Sequence, residues 1–318
     1  MIYHRVGPLR PASRNETFSL ERPEAKKFTG VPSSTSSEAG ICGIVESYFG
    51  DHFCSTMPSK DTLNRVLRCI SHCLSPGKST FLDADIAIDD IRKAVFAISP
   101  TKVPEPDGLP ALFFQQFWHV IGEKISRVCL GVLNDGHDLE DINRTLVTLI
   151  PKAAYFRNAI VGFECLHALK YSKKGKKKRL LALKLDMSKA YDRVEWAFLE
   201  GMMSKLGFSS SWISRVMHYV TSVFFSFLVN SQIGRSAKPS RGLRQGDPLS
   251  PYHFLICEKG LSRLFMEAEG RRDIAGLRYS RGGLNLTHLC FADDSMILRG
   301  IVSLLRRFLS AMRWRLGK

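Results

Sequence analysis

LLALKLD (180–186) and LCFADDS (289–295) each carry a strand-length apolar run that closes on acid: Asp186 in the first, the pair Asp293-Asp294 in the second. A strand end lets an ionised side chain face a cleft while its apolar neighbours stay buried. Adjacent aspartates repel and need water, hydrogen bonds or a cation. A surface turn supplies the first two. The alternative is a carboxylate cluster for a hard divalent cation, which suits phosphoryl or nucleotidyl transfer. In a two-metal arrangement, one ion activates an attacking 3′-hydroxyl and the other stabilises the leaving pyrophosphate.

The flanking pattern predicts an α+β mixture with no 20–50-residue repeat. Downstream of Asp186, Trp196, Leu199, Met203 and Leu206 mark a helix closed by Gly207, with Asp192 expected as its N-cap. Trp212, Val216 and Val220 mark a second helix, and Phe224–Val229 a strand turning at Asn230. Asp247 is expected at a turn or helix entry, ahead of a helix capped by Ser250 with Pro251 at its first position. That helix carries Phe254, Cys257, Leu261 and Phe265 on one side and runs to Gly270. A hairpin is expected from Gly276 into Cys290. Upstream, Ile91, Ala94, Val95 and Ile98 recur at helical spacing, capped by Asp85 or Asp89 and stopped by Pro100. After the proline-rich loop 101–110, two core helices are predicted, on Phe113, Phe117 and Val120, then on Ile125, Val128, Cys129 and Val132.

The chain has 318 residues, 44% apolar, with 46 Lys+Arg against 30 Asp+Glu, a formal charge of +16. This excludes collagen and a wholly disordered polymer. It makes a phosphate-rich partner a natural expectation. No apolar run reaches the ~18 residues of a membrane span, and no secretion signal is visible, so a soluble intracellular protein is expected. The eight cysteines lack a C-x-x-C and read as reduced, buried small hydrophobes. A zinc site on Cys69, His72 and Cys73, with His52 and Cys54, is outweighed because its spacings are not those of structural zinc. Lys173, Lys174, Lys176, Lys177, Lys178 and Arg179 form the densest basic block, either a solvated loop or a phosphate contact, and a weak nuclear-localisation signal. Residues 1–40 are polar and expected to be disordered.

Three segments carry a resemblance. LKLDMSKAYDRVEW (183–196), PSRGLRQGDPLSPYHF (239–254) and THLCFADDS (287–295) resemble successive motifs of the reverse transcriptases of plant LINE-type, non-LTR retrotransposons. PTKVPEPDGLPALFFQQFW (100–118) and NRTLVTLIPK (143–152) are similar to the same polyproteins just before and at the start of the polymerase fingers. The resemblance implies a right-hand polymerase palm, a small antiparallel sheet backed by helices. It implies an RNA-directed DNA polymerase using Mg²⁺ or Mn²⁺, with an RNA template, a DNA primer and dNTPs as partners and no membrane. Asp186, Asp293 and Asp294 would be the catalytic, metal-binding carboxylates, assisted by the Met187 backbone carbonyl. Tyr191 would be the steric gate against a 2′-hydroxyl, and Gln245 and Gly246 would lie against the incoming nucleotide and template. Arg244 and Arg241 would contact phosphate or template, as would the 173–179 block.

The resemblance divides the chain into a disordered segment (1–40), a helical extension with the start of the fingers (41–152), the palm (160–300) and a divergent basic tail (301–318). Only ten residues separate Lys152 from Phe163, where the family carries longer, basic fingers segments, and the thumb pattern is not found. A polymerase remnant with intact carboxylates, fingers partly and thumb largely missing, is the expectation. The alternative is a non-catalytic basic protein that binds nucleic acid, nuclear or cytoplasmic.

Overall fold

The computed structural model describes residues 2–6, 38–100, 109–140, 142–149, 182–186, 189–229, 232–272, 277–278, 285–291 and 294–298. In chain order the elements are β1 (Ile2–Val6), α1 (Glu38–His52), α2 (Lys60–Leu67), α3 (Pro76–Asp83), α4 (Ile88–Ala97), α5 (Ala111–Gln116), α6 (Trp118–Leu133), β2 (Arg144–Leu149) and β3 (Ala182–Asp186). A 3₁₀ turn follows (Tyr191–Arg193), then α7 (Trp196–Leu206), α8 (Ser210–Thr221), β4 (Phe224–Val229), β5 (Gln232–Ala237), α9 (Ser250–Gly270), β6 (Leu277–Arg278), β7 (Asn285–Leu286), β8 (His288–Phe291) and β9 (Asp294–Leu298). Among the described residues, no helix is long and apolar enough to cross a membrane.

The chain divides into two units that are not consecutive stretches. The first comprises Met1–Cys54, Leu74–Ile150 and Phe208–Ser240; the second comprises Ser55–Cys73, Pro151–Gly207 and Arg241–Lys318. The linear boundaries at 152 and 160 therefore do not contain the whole division. The physical reason is strand pairing: β2 lies parallel to β4, Val147 opposite Phe227, which draws 224–229 out of the expected palm stretch and into the first unit.

That first sheet has the order β1-β2-β4-β5, antiparallel at both edges. β4 is its buried spine. Phe225, Phe227 and Val229 are buried along one face, where Phe49 of α1 stacks on Phe227 at 5.0 Å and Phe53 packs on Phe225 at 4.6 Å. Asn143 fastens α8 to the entry of β2: its buried amide donates to the Tyr219 carbonyl (2.9 Å) and the Ser222 hydroxyl (2.8 Å). The end of α4 is closed by Gln115, whose amide donates to the Val95 and Ile98 carbonyls.

Several local expectations are corrected here. Disorder through residue 40 does not hold at the ends of that segment, because Ile2–Val6 pairs with β2 and α1 starts at Glu38. Strand formers at Ile2, Tyr3 and Val6 explain the first. The N-terminus of α4 is held by neither Asp85 nor Asp89: Asp90 reaches back to the Ala87 amide at 3.1 Å. The buried residues of α6 are Gly122, Ser126 and Gly131; of the expected positions Ile125, Cys129 and Val132 are half-buried, while Val120 and Val128 are exposed. Of the cysteines, Cys257 is buried, while Cys54 and Cys73 are exposed.

The second unit packs α2, α7 and α9 together. Phe198, Leu199, Met202 and Met203 of α7 are fully buried, each side chain contributing about 1.5–3 kcal/mol. Gly260 of α9 permits this approach, since a Cβ there would lie 3.1 Å from the Phe198 ring and 3.4 Å from the Met202 sulfur. α9 then backs a three-stranded antiparallel sheet of order β3-β9-β8. The Phe265 ring stacks on His288 of β8 at 4.9 Å, and His288 Nε2 lies 2.9 Å from the Ser262 hydroxyl. This is the expected small sheet backed by helices. The expected strands at 180–185 and 224–229, and the helices 196–206 and 250–270, fall close to their places. Leu249, not Ser250, is the N-cap of α9.

Candidate active site

The strand register brings two of the three predicted carboxylate positions together. In the β3–β9 ladder Asp186 stands directly opposite Asp294, followed by Leu185 opposite Ser295 and Lys184 opposite Met296. β8 closes the hairpin with Phe291 opposite Asp294. Directly opposed positions of an antiparallel pair share one face, and like charges there destabilise the sheet unless something neutralises them. Asp293 and Met187 lie outside the described residues, as do Lys173, Lys174, Lys176, Lys177, Lys178 and Arg179. Among the described residues, no group of three or more His, Cys, Asp or Glu is placed to hold a metal ion.

Five residues beyond Asp186 the chain enters a second constellation. Here the 3₁₀ turn and the residues up to Trp196 grip the 241–247 loop. The Gly242 amide donates to the Val194 carbonyl and the Leu243 amide to the Tyr191 carbonyl, both at 2.8 Å. The Trp196 indole N–H donates to the Gly242 carbonyl at 2.8 Å. Gly242 has φ +99°, and a Cβ there would sit 2.8 Å from the Asp192 carbonyl oxygen, so only glycine fits.

Charged side chains complete the grip. Arg241 and Glu195 are both buried, at 9% and 2% side-chain exposure, with Nη1 3.5 Å from Oε1. Glu195 also accepts from the Ser55 hydroxyl at 2.5 Å and the Thr56 amide at 3.5 Å. Arg244 pairs with Asp247 at 2.9 Å, at 5% and 3% exposure, and the other Asp247 oxygen accepts the Leu249 amide at 2.8 Å. Asp247 thus does enter the helix start as expected. Arg241 and Arg244, expected against phosphate or template, instead point into the protein and meet carboxylates.

Asp192 is not the N-cap of α7; that position is Glu195. Asp192 is fully buried and accepts a hydrogen bond from Gln245 Nε2 at 2.9 Å. Gln245 itself is half-buried, and Gly246 beside it is exposed with φ +88°. Tyr191 is half-buried and stacks on Phe254 at 4.7 Å, their planes 9° apart. Burial holds the His253 imidazole below its ordinary pKa, against a raising effect from Asp247 and with a lowering one from Arg244.

Sequence reasoning missed the roles of Asp192 and Glu195. The signal was present: two acids at 192 and 195 and two arginines at 241 and 244, each pair at i, i+3. What it lacked was the loop geometry that sets Glu195 against Arg241 and Asp192 against Gln245 while Arg244 turns to Asp247.

With this geometry in view, the comparison with known families is direct. Residues 124–317 match the reverse transcriptase (RNA-dependent DNA polymerase) family, and the chain belongs to it. Among individual proteins, an uncharacterized mitochondrial protein of Arabidopsis thaliana is 42% identical over 82 residues, covering 26% of this chain and 67% of that protein. An uncharacterized 149 kDa protein of transposon TX1 from Xenopus laevis is 23% identical over 263 residues, covering 68% of this chain; the chain spans 20% of that protein's length. Among solved structures, apo telomerase from Candida tropicalis, truncated of its C-terminal domain, aligns with a TM-score of 0.32 at 17% identity, over 63% of this chain and 38% of that one.

Proposed function

We propose that the chain carries the palm of an RNA-directed DNA polymerase of LINE-type, non-LTR retrotransposon origin, with Asp186, Asp293 and Asp294 as its catalytic carboxylates. The single observation that supports this is the register that opposes Asp186 and Asp294 across β3 and β9. Two acids meeting across a ladder fit a divalent cation by donor chemistry: hard carboxylate oxygens and net negative charge. Asp186, Asp293 and Asp294 would hold Mg²⁺ or Mn²⁺, with help from the Met187 carbonyl. The bound cation would supply Lewis-acid stabilisation of charge on the primer hydroxyl and the leaving phosphate.

The remaining roles belong to this chain's own groups. Tyr191, held flat against Phe254, limits space beside the sugar. Gly246, exposed and free of a side chain, allows backbone to approach a nucleotide closely. The +16 charge supports RNA template and DNA primer as partners, with the 173–179 block among the contacts. The ten residues between Lys152 and Phe163 leave little room for a cationic clamp on triphosphate. Turnover is accordingly expected to be weak beside that of a polymerase with complete fingers.

The test is primer extension on poly(rA)/oligo(dT) with Mg²⁺ or Mn²⁺, run beside Asp293→Ala, together with dTTP binding to the same complexes. Extension that vanishes in Asp293→Ala establishes the polymerase. Asp293-dependent dTTP binding without extension defines a remnant that keeps the site. Absence of both extension and dTTP binding would overturn the assignment.

A further inference from the structure

We infer that Asp192 is a positioning residue that fixes the orientation of the Gln245 amide, so that Gln245 presents its oxygen, and not its nitrogen, to the bound nucleotide. This rests on the polymerase reading of the site. A glutamine amide turns about a broad, two-fold terminal torsion, and its two ends differ only in what they offer: two donors or an acceptor. A carboxylate only accepts. The Gln245 nitrogen therefore faces Asp192, as the 2.9 Å contact shows, and Oε1 is turned away from it.

The partner cannot move to accommodate a reversed amide. Asp192 is fully buried within the 3₁₀ turn. The loop carrying Gln245 is pinned to that turn by two 2.8 Å backbone hydrogen bonds, from Gly242 and Leu243. On the loop's far side, the buried Arg244–Asp247 pair locks both neighbours of Gln245 and Gly246. The separation between positions 192 and 245 is set by backbone, and the carboxylate selects one of the two amide states. The consequence is a site that recognises a hydrogen-bond donor, a hydroxyl or amino group of the nucleotide, at the place where Gln245 reaches it.

The test uses the full chain with poly(rA)/oligo(dT), reading dTTP affinity, duplex affinity and Tm for four proteins: wild type, Asp192→Leu, Gln245→Glu and Asp192→Asn/Gln245→Glu. Asp192→Leu removes the acceptor and frees the amide; dTTP affinity should fall about tenfold, the worth of one hydrogen bond, with duplex affinity unchanged. Gln245→Glu sets two acids against each other and should weaken dTTP by at least about tenfold. The double variant restores the contact in reverse, Asn donating to Glu, with a Glu oxygen again facing the ligand; affinity should return to within about threefold of wild type. Wild-type dTTP binding with Asp192→Leu unimpaired, or with the double variant no better than Gln245→Glu, would overturn the positioning role alone. A Tm loss in the variants without a change in dTTP affinity would do the same, since a purely structural contact predicts that pattern. Absence of dTTP binding in the wild type would overturn the polymerase reading and the positioning role with it.

Discussion

Two regions of the second unit treat acidic residues in opposite ways. At the end of the small sheet, Asp186 and Asp294 are set against each other by the ladder. In the neighbouring stretch of the same motif, Glu195 is set against Arg241, Asp247 against Arg244 and Asp192 against the Gln245 amide. Acids that serve the fold are given a cation or a donor by the protein itself. An acid position that the backbone register sets opposite another acid is offered no such partner by that pairing. The contrast falls within ten residues of sequence, between Asp186 and Glu195.

Four measurements press on that contrast. The largest effect belongs to the opposed pair: Asp186→Asn or Asp294→Asn should cut Asp293-dependent extension at least about a hundredfold. Tm in metal-free buffer should meanwhile hold or rise, because one of two like charges facing across the ladder is gone. A fall in Tm would place these acids with the scaffold.

The scaffold acids should behave in reverse. Glu195→Ala leaves the buried Arg241 without its carboxylate and should cost about 3–5 kcal/mol in urea denaturation. Glu140→Ala, at the exposed pair with Lys238, should cost at most about 1 kcal/mol. Equal losses would mean that burial does not set the value of these pairs.

Gly242→Ala is next in size. A Cβ 2.8 Å from the Asp192 carbonyl oxygen, at φ +99°, should destabilise by about 1–3 kcal/mol, loosening the grip on the loop. Gly43→Ala, in α1 with nothing within 4 Å, should stabilise by about 0.5–1 kcal/mol.

The smallest effect is a pH slope. Glu258 of α9 is buried with Oε1 lacking a partner among the described residues, and burial pushes its carboxyl up from the ordinary 4.5, with a hydrogen bond from Cys290 opposing. Its raised folded pKa means that the stability linked to it is complete below pH 4.5 and is lost as pH rises through the folded value. Glu258→Gln should therefore match the wild-type Tm near pH 4 and exceed it near pH 8. A constant difference across that range would contradict this.

Much of this architecture was legible in the residues. Apolar periodicity located α7, α9 and β4 because each buries a continuous face, an apolar run located β3, and Gly207 closed α7 at φ +98° as a C-terminal glycine should. The opposed carboxylates were legible as acids at strand ends. The partnership between them was not, since register depends on pairing between segments more than a hundred residues apart in the chain. The carboxylate partners of the arginines were hidden for a related reason: nothing local distinguishes a guanidinium aimed at phosphate from one aimed at Glu195. α6 was legible in part: periodicity marks apolar residues, whereas the buried positions of this helix are Gly122, Ser126 and Gly131.

The parallel pairing of β2 with β4 also governs the order in which the protein can be made. On the ribosome, β2 emerges long before β4, and until Phe224–Val229 follows, one side of β2 has no strand to bond. Such an open edge is a template for other chains. A nascent or prematurely terminated product ending before Val229 is thus expected to be the aggregating form, and chaperone demand should fall once β4 has cleared the exit tunnel.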